Sequence, residues 1–330
     1  MNSTIFNFRP LKRAAKYGQV HAAKLIVITF VMGSLLPFSF FILTHFVKSD
    51  TIHSLALDTI DDSPRVIFLG SSHVNTNIDP REMPGKVSLL GLPNADYQDL
   101  LRILQLSLDR GAKPSLLVLE WIASSLLRGP TEERAMTLRF SYGLSPILDL
   151  KTCLKNPNHC LRDRLYVLYQ WRFIPTALID DNFRPLSAGE ELIPGFERIN
   201  NTMDASEAMA TSVDRLKTLD AQLDRDAQAK NLQALAQIVS IAQGMKIPLN
   251  ILKTPLHREL RAILPHYFAM PRPHAIAQFP LFDFTEWEGE TDGQFADHDH
   301  LNASGARAFS QVLAKRIYSS RMGTEGVIEK

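Results

Sequence analysis

Two cysteines in 330 residues are too few for a disulfide-stapled scaffold or a four-cysteine zinc site. Neither sign of charge is in excess: 36 Lys+Arg stand against 35 Asp+Glu, a formal net charge of +1. Nucleic-acid binders carry a basic surplus, so no nucleic-acid partner is expected. Charged residues make up 22% of the chain and hydrophobic ones 45%, which excludes a disordered or collagen-like protein. Long apolar runs are also missing, with one exception, and that exception bears on the compartment.

Leu25 to Val47 (LIVITFVMGSLLPFSFFILTHFV) is 23 residues with no Asp, Glu, Lys or Arg. A helix of that length rises about 35 Å, enough to cross a hydrocarbon core of roughly 30 Å. Gly33 and Pro37 are tolerated in such helices. The run is longer than a signal-peptide core and no small-x-small cleavage pattern follows it, so it reads as an uncleaved signal anchor. Arg9, Lys12, Arg13, Lys16 and Lys24 precede it without an acidic residue, and only Lys48 and Asp50 follow closely. The basic flank stays inside. The expectation is a single-pass inner (cytoplasmic) membrane protein. Residues 1–24 are cytoplasmic, 25–47 span, 48–63 form a stalk and 64–330 form an exported domain, periplasmic or extracellular. Cys153 and Cys160, in KTCLKNPNHC, either close a small disulfide loop there or are two unrelated thiols.

The exported part alternates short apolar strands with helices. Strands are predicted at Arg65 to Leu69, Val87 to Leu90, Ser115 to Leu119, Ile247 to Leu252 and Leu281 to Phe284. Helices are predicted at Tyr97 to Arg110, with Pro114 as a stop, over Ala205 to Gln243 as two pieces, and from Ser304 to Tyr318. This pattern implies an α/β fold: a three-layer parallel sheet covered on both faces. Residues 128–200, rich in Pro, Arg and aromatics, break the alternation and read as an inserted cap.

In such sheets ligands bind beyond the carboxyl ends of the strands. Gly70-Ser71-Ser72-His73 follows the first strand. A Ser at a strand end, opening a helix, has backbone N–H groups and a helix dipole to stabilise negative charge. Asp297-His298-Asp299-His300-Leu301-Asn302 precedes the last helix. Asp297 and His300, three apart, can put a carboxylate beside an imidazole, leaving the other ring nitrogen to take a proton from Ser72. The same run is dense in metal ligands, so a metallohydrolase built on Asp297, His298 and His300 is a competing reading. His257, after the fourth strand, and His73 are candidate substrate-binding residues.

FLGSSHV around Ser72, LLGLPNA around Gly91 and Asn94, and DHDHLNASGARAF together resemble the SGNH (GDSL-type) hydrolase superfamily. The resemblance covers about 65–120 and 205–318. It implies a flavodoxin-like SGNH fold, with Ser72 as nucleophile, His300 as base and Asp297 as the partner that orients it. It implies no cofactor. Ser71 stands where the GDS pattern has Asp, as expected of membrane-anchored relatives such as the D-alanine transfer proteins of teichoic acid synthesis. Two departures bear on the oxyanion hole. Asn94 stands where the family usually has Gly. The third block, usually Gly-x-Asn-Asp, is here Glu120-Trp121-Ile122-Ala123-Ser124-Ser125, with Ser124 the nearest substitute by spacing. The expected donors are therefore the N–H groups of Ser72 and Asn94, with Ser124. The resemblance implies a membrane-anchored serine esterase or O-acyltransferase acting on acyl esters of a cell-envelope glycan or its lipid-linked precursor. Polysaccharide acetylation systems suggest an integral membrane acyltransferase as partner. The alternative is a non-catalytic glycan-binding or assembly protein that keeps the fold.

Overall fold

The strands are apolar on both sides, as a sheet buried between two helical layers requires. The structure, a computed structural model, describes residues 56–129 (save 58 and 62), 193–203, 210, 213, 214, 224–263 and 271–325. The predicted anchor at 25–47, both cysteines and most of the 128–200 insertion lie outside them. Among the described residues no helix is long and apolar enough to cross a membrane.

Five strands form one parallel sheet: β1 (Pro64–Gly70), β2 (Val87–Gly91), β3 (Lys113–Glu120), β4 (Leu249–Lys253) and β5 (Leu281–Asp283). Their order is β2-β1-β3-β4-β5. This is an α/β fold compatible with the flavodoxin-like order. The helices are α1 (Ser72–Asn77), α2 (Tyr97–Asp109), α3 (Ala123–Leu127), α4 (Arg225–Gly244), α5 (Arg258–Ile263), α6 (His274–Ala277) and α7 (Ala303–Glu325).

Alternation within each strand assigns the layers. Ile67, Leu69, Leu117, Leu119 and Ile251 pack with Leu100, Ile103 and Leu104 of α2 and Leu235 and Ile238 of α4. Val66, Phe68, Leu116, Val118 and Leu252 point the other way, onto Phe309, Leu313 and Ile317 of α7. Those three α7 residues are spaced at i, i+4, i+8 and are fully buried. The strand order reverses between β1 and β3, so a crevice opens beyond Gly70 and Glu120.

Three sequence expectations change. Pro114 lies inside β3, opposite Arg65, rather than ending the preceding helix; the register shifts between Arg65 and Val66, where proline has no N–H to give. The stalk does not reach 63: Ala56 and Leu57 are buried in the first core, and Asp61 pairs with Arg65 and, at 2.6 Å, with Lys86. The last helix runs on to Glu325, past the predicted Tyr318.

Candidate active site

Two loops meet at the reversal point. After β1 the chain turns sharply at Gly70, where a Cβ would lie 2.4 Å from Glu120 Oε2. Ser71 caps α1, its hydroxyl accepting from the N–H of His73 at 3.2 Å. Ser72 is thereby the first helical residue. The second loop folds back between Phe295 and Leu301, which bridge antiparallel. Inside it, Asp297 Oδ1 accepts from the N–H groups of Asp299 (2.9 Å) and His300 (2.8 Å). Asn77 of α1 ties the loops together: its Oδ1 accepts from Leu301 N–H at 2.7 Å and its Nδ2 donates to the Asp299 carbonyl at 3.3 Å.

Ser72 Oγ lies 2.7 Å from His300 Nε2. His300 Nδ1 lies 2.9 Å from Asp297 Oδ2, and 3.2 Å from Asp299 Oδ1. Residues 228 positions apart thus form one hydrogen-bonded run, hydroxyl to imidazole to carboxylate. Burial pulls the His300 pKa down, but Asp299 and Asp297 outweigh it and the net shift is upward.

Behind this run stands a second one that sequence reasoning missed. Glu120, at the end of β3, is buried. Its Oε2 accepts from the N–H (2.7 Å) and the hydroxyl (2.9 Å) of Ser71. Its Oε1 takes His73 Nδ1 at 2.7 Å and the Thr254 hydroxyl at 2.9 Å. His73 Nε2 faces Asp299 Oδ2 at 3.4 Å. Burial alone would strip the His73 proton, but Glu120 and Asp299 overcome it and push the pKa up to about 10. Glu120 is held below the usual carboxylate range: burial opposes its charge, and His73 and the Ser71 bonds outweigh burial. Both ring nitrogens of His73 thus face carboxylates. The signal available in the sequence was the charged residue ending an otherwise apolar strand, SLLVLE.

The other expected residues fall as follows. Asn94 takes φ +57°, a left-handed conformation natural to Gly and tolerated by Asn. Ser124 is buried in α3, and among the described residues no hydrogen bond joins it to Ser72 or His300. His257 is buried behind the 295–301 loop, its backbone N–H donating to the His298 carbonyl at 2.9 Å, its ring edge-on to Phe295 and its Nε2 3.3 Å from Asp292 Oδ1. Glu197, from the far end of the insertion, has its carboxyl pushed up by desolvation, with His300 pulling the other way. Potential metal ligands within 4.8 Å of one another are Asp297, His298 and Asp299, and separately His73, Asp299 and His300; the grouping Asp297, His298 and His300 is neither of these.

No family model matches the chain, and no curated protein matches it.

Proposed function

We propose that this protein is a membrane-anchored serine esterase or O-acyltransferase, acting on acyl esters of a cell-envelope polysaccharide or its precursor through an acyl-Ser72 intermediate. The observation that carries the reading is the run Ser72–His300–Asp297, with both imidazole nitrogens in hydrogen-bond reach of the right partners. The membrane and envelope parts rest on the apolar run at 25–47 and its basic flank.

Ser72 Oγ attacks the ester carbonyl carbon as its proton passes to His300 Nε2. Asp297, on Nδ1, holds the ring and stabilises the imidazolium. The carbonyl oxygen becomes an oxyanion, met by the N–H groups of Ser72 and Asn94. The C–O bond to the leaving alcohol breaks, and that alcohol takes the proton from His300. Water or a glycan hydroxyl then attacks acyl-Ser72, gives its proton to His300, and the acyl group departs as acid or new ester while Ser72 recovers its proton. No step calls for a metal or an organic cofactor.

A fluorophosphonate probe tests this. The expected result is labelling of the full chain in detergent that disappears in Ser72→Ala and persists in chelator. Activity abolished by chelation, with the probe without effect, would overturn it in favour of a metallohydrolase. The position of Ser124 favours the non-catalytic alternative, a glycan-binding or assembly protein. That reading predicts no labelling at all.

A further inference from the structure

The insertion returns to the fold along the start of α7. Phe196 is buried in the second core, and the Ala303 N–H donates to the Ile199 carbonyl at 2.7 Å. Between this returning segment and α7 lies a cavity of about 550 Å³, within the roughly 300–1,000 Å³ range of small-ligand sites. Most of its lining residues are polar or charged, and three arginines from three parts of the chain converge on it: Arg81, Arg198 and Arg307.

Two of these arginines are anchored from behind. Arg81 donates from Nε (2.9 Å) and from a terminal nitrogen (2.6 Å) to Asp79, whose carboxylate is itself buried. Arg307 donates from Nε to Glu82 at 2.7 Å, and Gln311 shares that carboxylate at 2.9 Å. The third, Arg198, uses its Nε on Asn200 at 3.1 Å. Among the described residues the terminal nitrogens of Arg198 and Arg307 have no acceptor, so each keeps a fork of donors. Three guanidinium groups against two carboxylates leave the lining positive. The field of α7, a helix of 23 residues, adds to it at this end. The helix offers its field only, because Asn302 Oδ1 already accepts from Ser304 and Gly305 N–H.

The cavity adjoins the site described above through both of its walls. Ala303 is three residues beyond His300, a span of at most about 11 Å. Arg198 is next to Glu197, whose carboxyl feels His300. A chain molecule held at the arginines therefore has its neighbouring units close to Ser72.

We propose that this cavity binds an oxyanion carried by the glycan on which Ser72 acts, a sugar carboxylate or phosphate held by the forks of Arg198 and Arg307. The inference rests on the hydrolase or acyltransferase reading for its glycan, and it narrows that substrate to an acidic polymer. Planar guanidinium groups suit such oxyanions bidentately, where a neutral sugar would leave the donors unmatched.

Binding to the full-length Ser72→Ala chain in detergent tests it, by calorimetry with an oligogalacturonate, its neutral methyl ester and inorganic phosphate. The expected result is that the acid binds on the order of tenfold more tightly than the ester, weakens as salt rises, and loses most of that margin in Arg198→Gln and Arg307→Gln. Acid and ester binding alike, or an unchanged margin in both variants, would overturn the proposal. Phosphate competing fully at its own affinity, with the acidic oligomer no tighter, would overturn the glycan as the source. Fluorophosphonate labelling of the unaltered chain reads the serine chemistry separately. Labelling without an acidic preference sinks the cavity inference alone, and a preference without labelling sinks the serine reading alone.

Discussion

A histidine enclosed by two carboxylates keeps its proton, and His73 therefore presents a fixed positive charge at neutral pH, its ring centre 5.2 Å from that of His300. That charge lowers the His300 pKa, against the raising effect of Asp299 and Asp297. His300 must be neutral to accept the Ser72 proton, so kcat/KM is expected to rise with pH through a limb above 6.5, the ordinary histidine value. His73→Gln removes the opposing charge and should move that limb to higher pH, which a pH–rate profile reads. An unmoved limb would show that His73 has no electrostatic hold on the base. Glu120→Ala leaves His73 buried with half its partners, a change that costs about 3–5 kcal/mol for a broken buried pair. Urea unfolding should show that loss, and the double variant with His73→Leu should lose less than the sum of the single ones. That Ser72, His300 and Asp297 meet was legible in the sequence because their types and spacing are chemically restrictive. Glu120 was not, since a buried acid and a loop acid look alike until the strand neighbours are known.

The elements that position the serine leave little room for change. A Cβ on Gly91 would sit 1.5 Å from Asn75 Oδ1 and 2.5 Å from the Ser71 carbonyl. Asn75 can rotate, but the Ser71 backbone cannot yield without moving Ser72. Gly91→Ala should therefore slow fluorophosphonate labelling at least tenfold while far-ultraviolet circular dichroism stays native, an overpacking cost of about 1–3 kcal/mol being spread over the β1–α1 turn. The strands and α2 were readable to within a few residues, because apolar runs and helical spacing report burial directly, whereas the short helices α3, α5 and α6 are too brief to show a period. Pro114 misled, since a proline near a strand start looks the same as one that stops a helix. Ala56 and Leu57 were missed because the few apolar residues of 48–63, set among polar ones, form neither a long run nor an alternation.

Across the whole molecule, two buried charges, His73 and Glu120, contribute to how stability depends on pH. The folded His73 pKa of about 10 lies above the ordinary 6.5, so its contribution is complete below about pH 6.5 and is lost as pH rises towards 10. Glu120 lies below its ordinary 4.5, so its contribution is present above that value and is lost as pH falls through the folded pKa. Thermal melts should show a plateau between these limits, and the alkaline decline should flatten in His73→Gln. A decline unchanged in that variant would place the titrating group elsewhere. A parallel sheet packed on both faces followed from short apolar strands alternating with helices; the strand order did not. The return of the insertion beside α7 did not, because contacts between distant loops leave no local pattern to read.

The most direct measurement is the intact mass of the chain after brief exposure to an activated acetyl ester, with peptide mapping of any adduct. The account predicts one acetyl group, on Ser72, which turns over in the unaltered chain, persists in His300→Gln if it forms there at all, and is absent in Ser72→Ala. An adduct mapped to another residue, or one undiminished in Ser72→Ala, would contradict it.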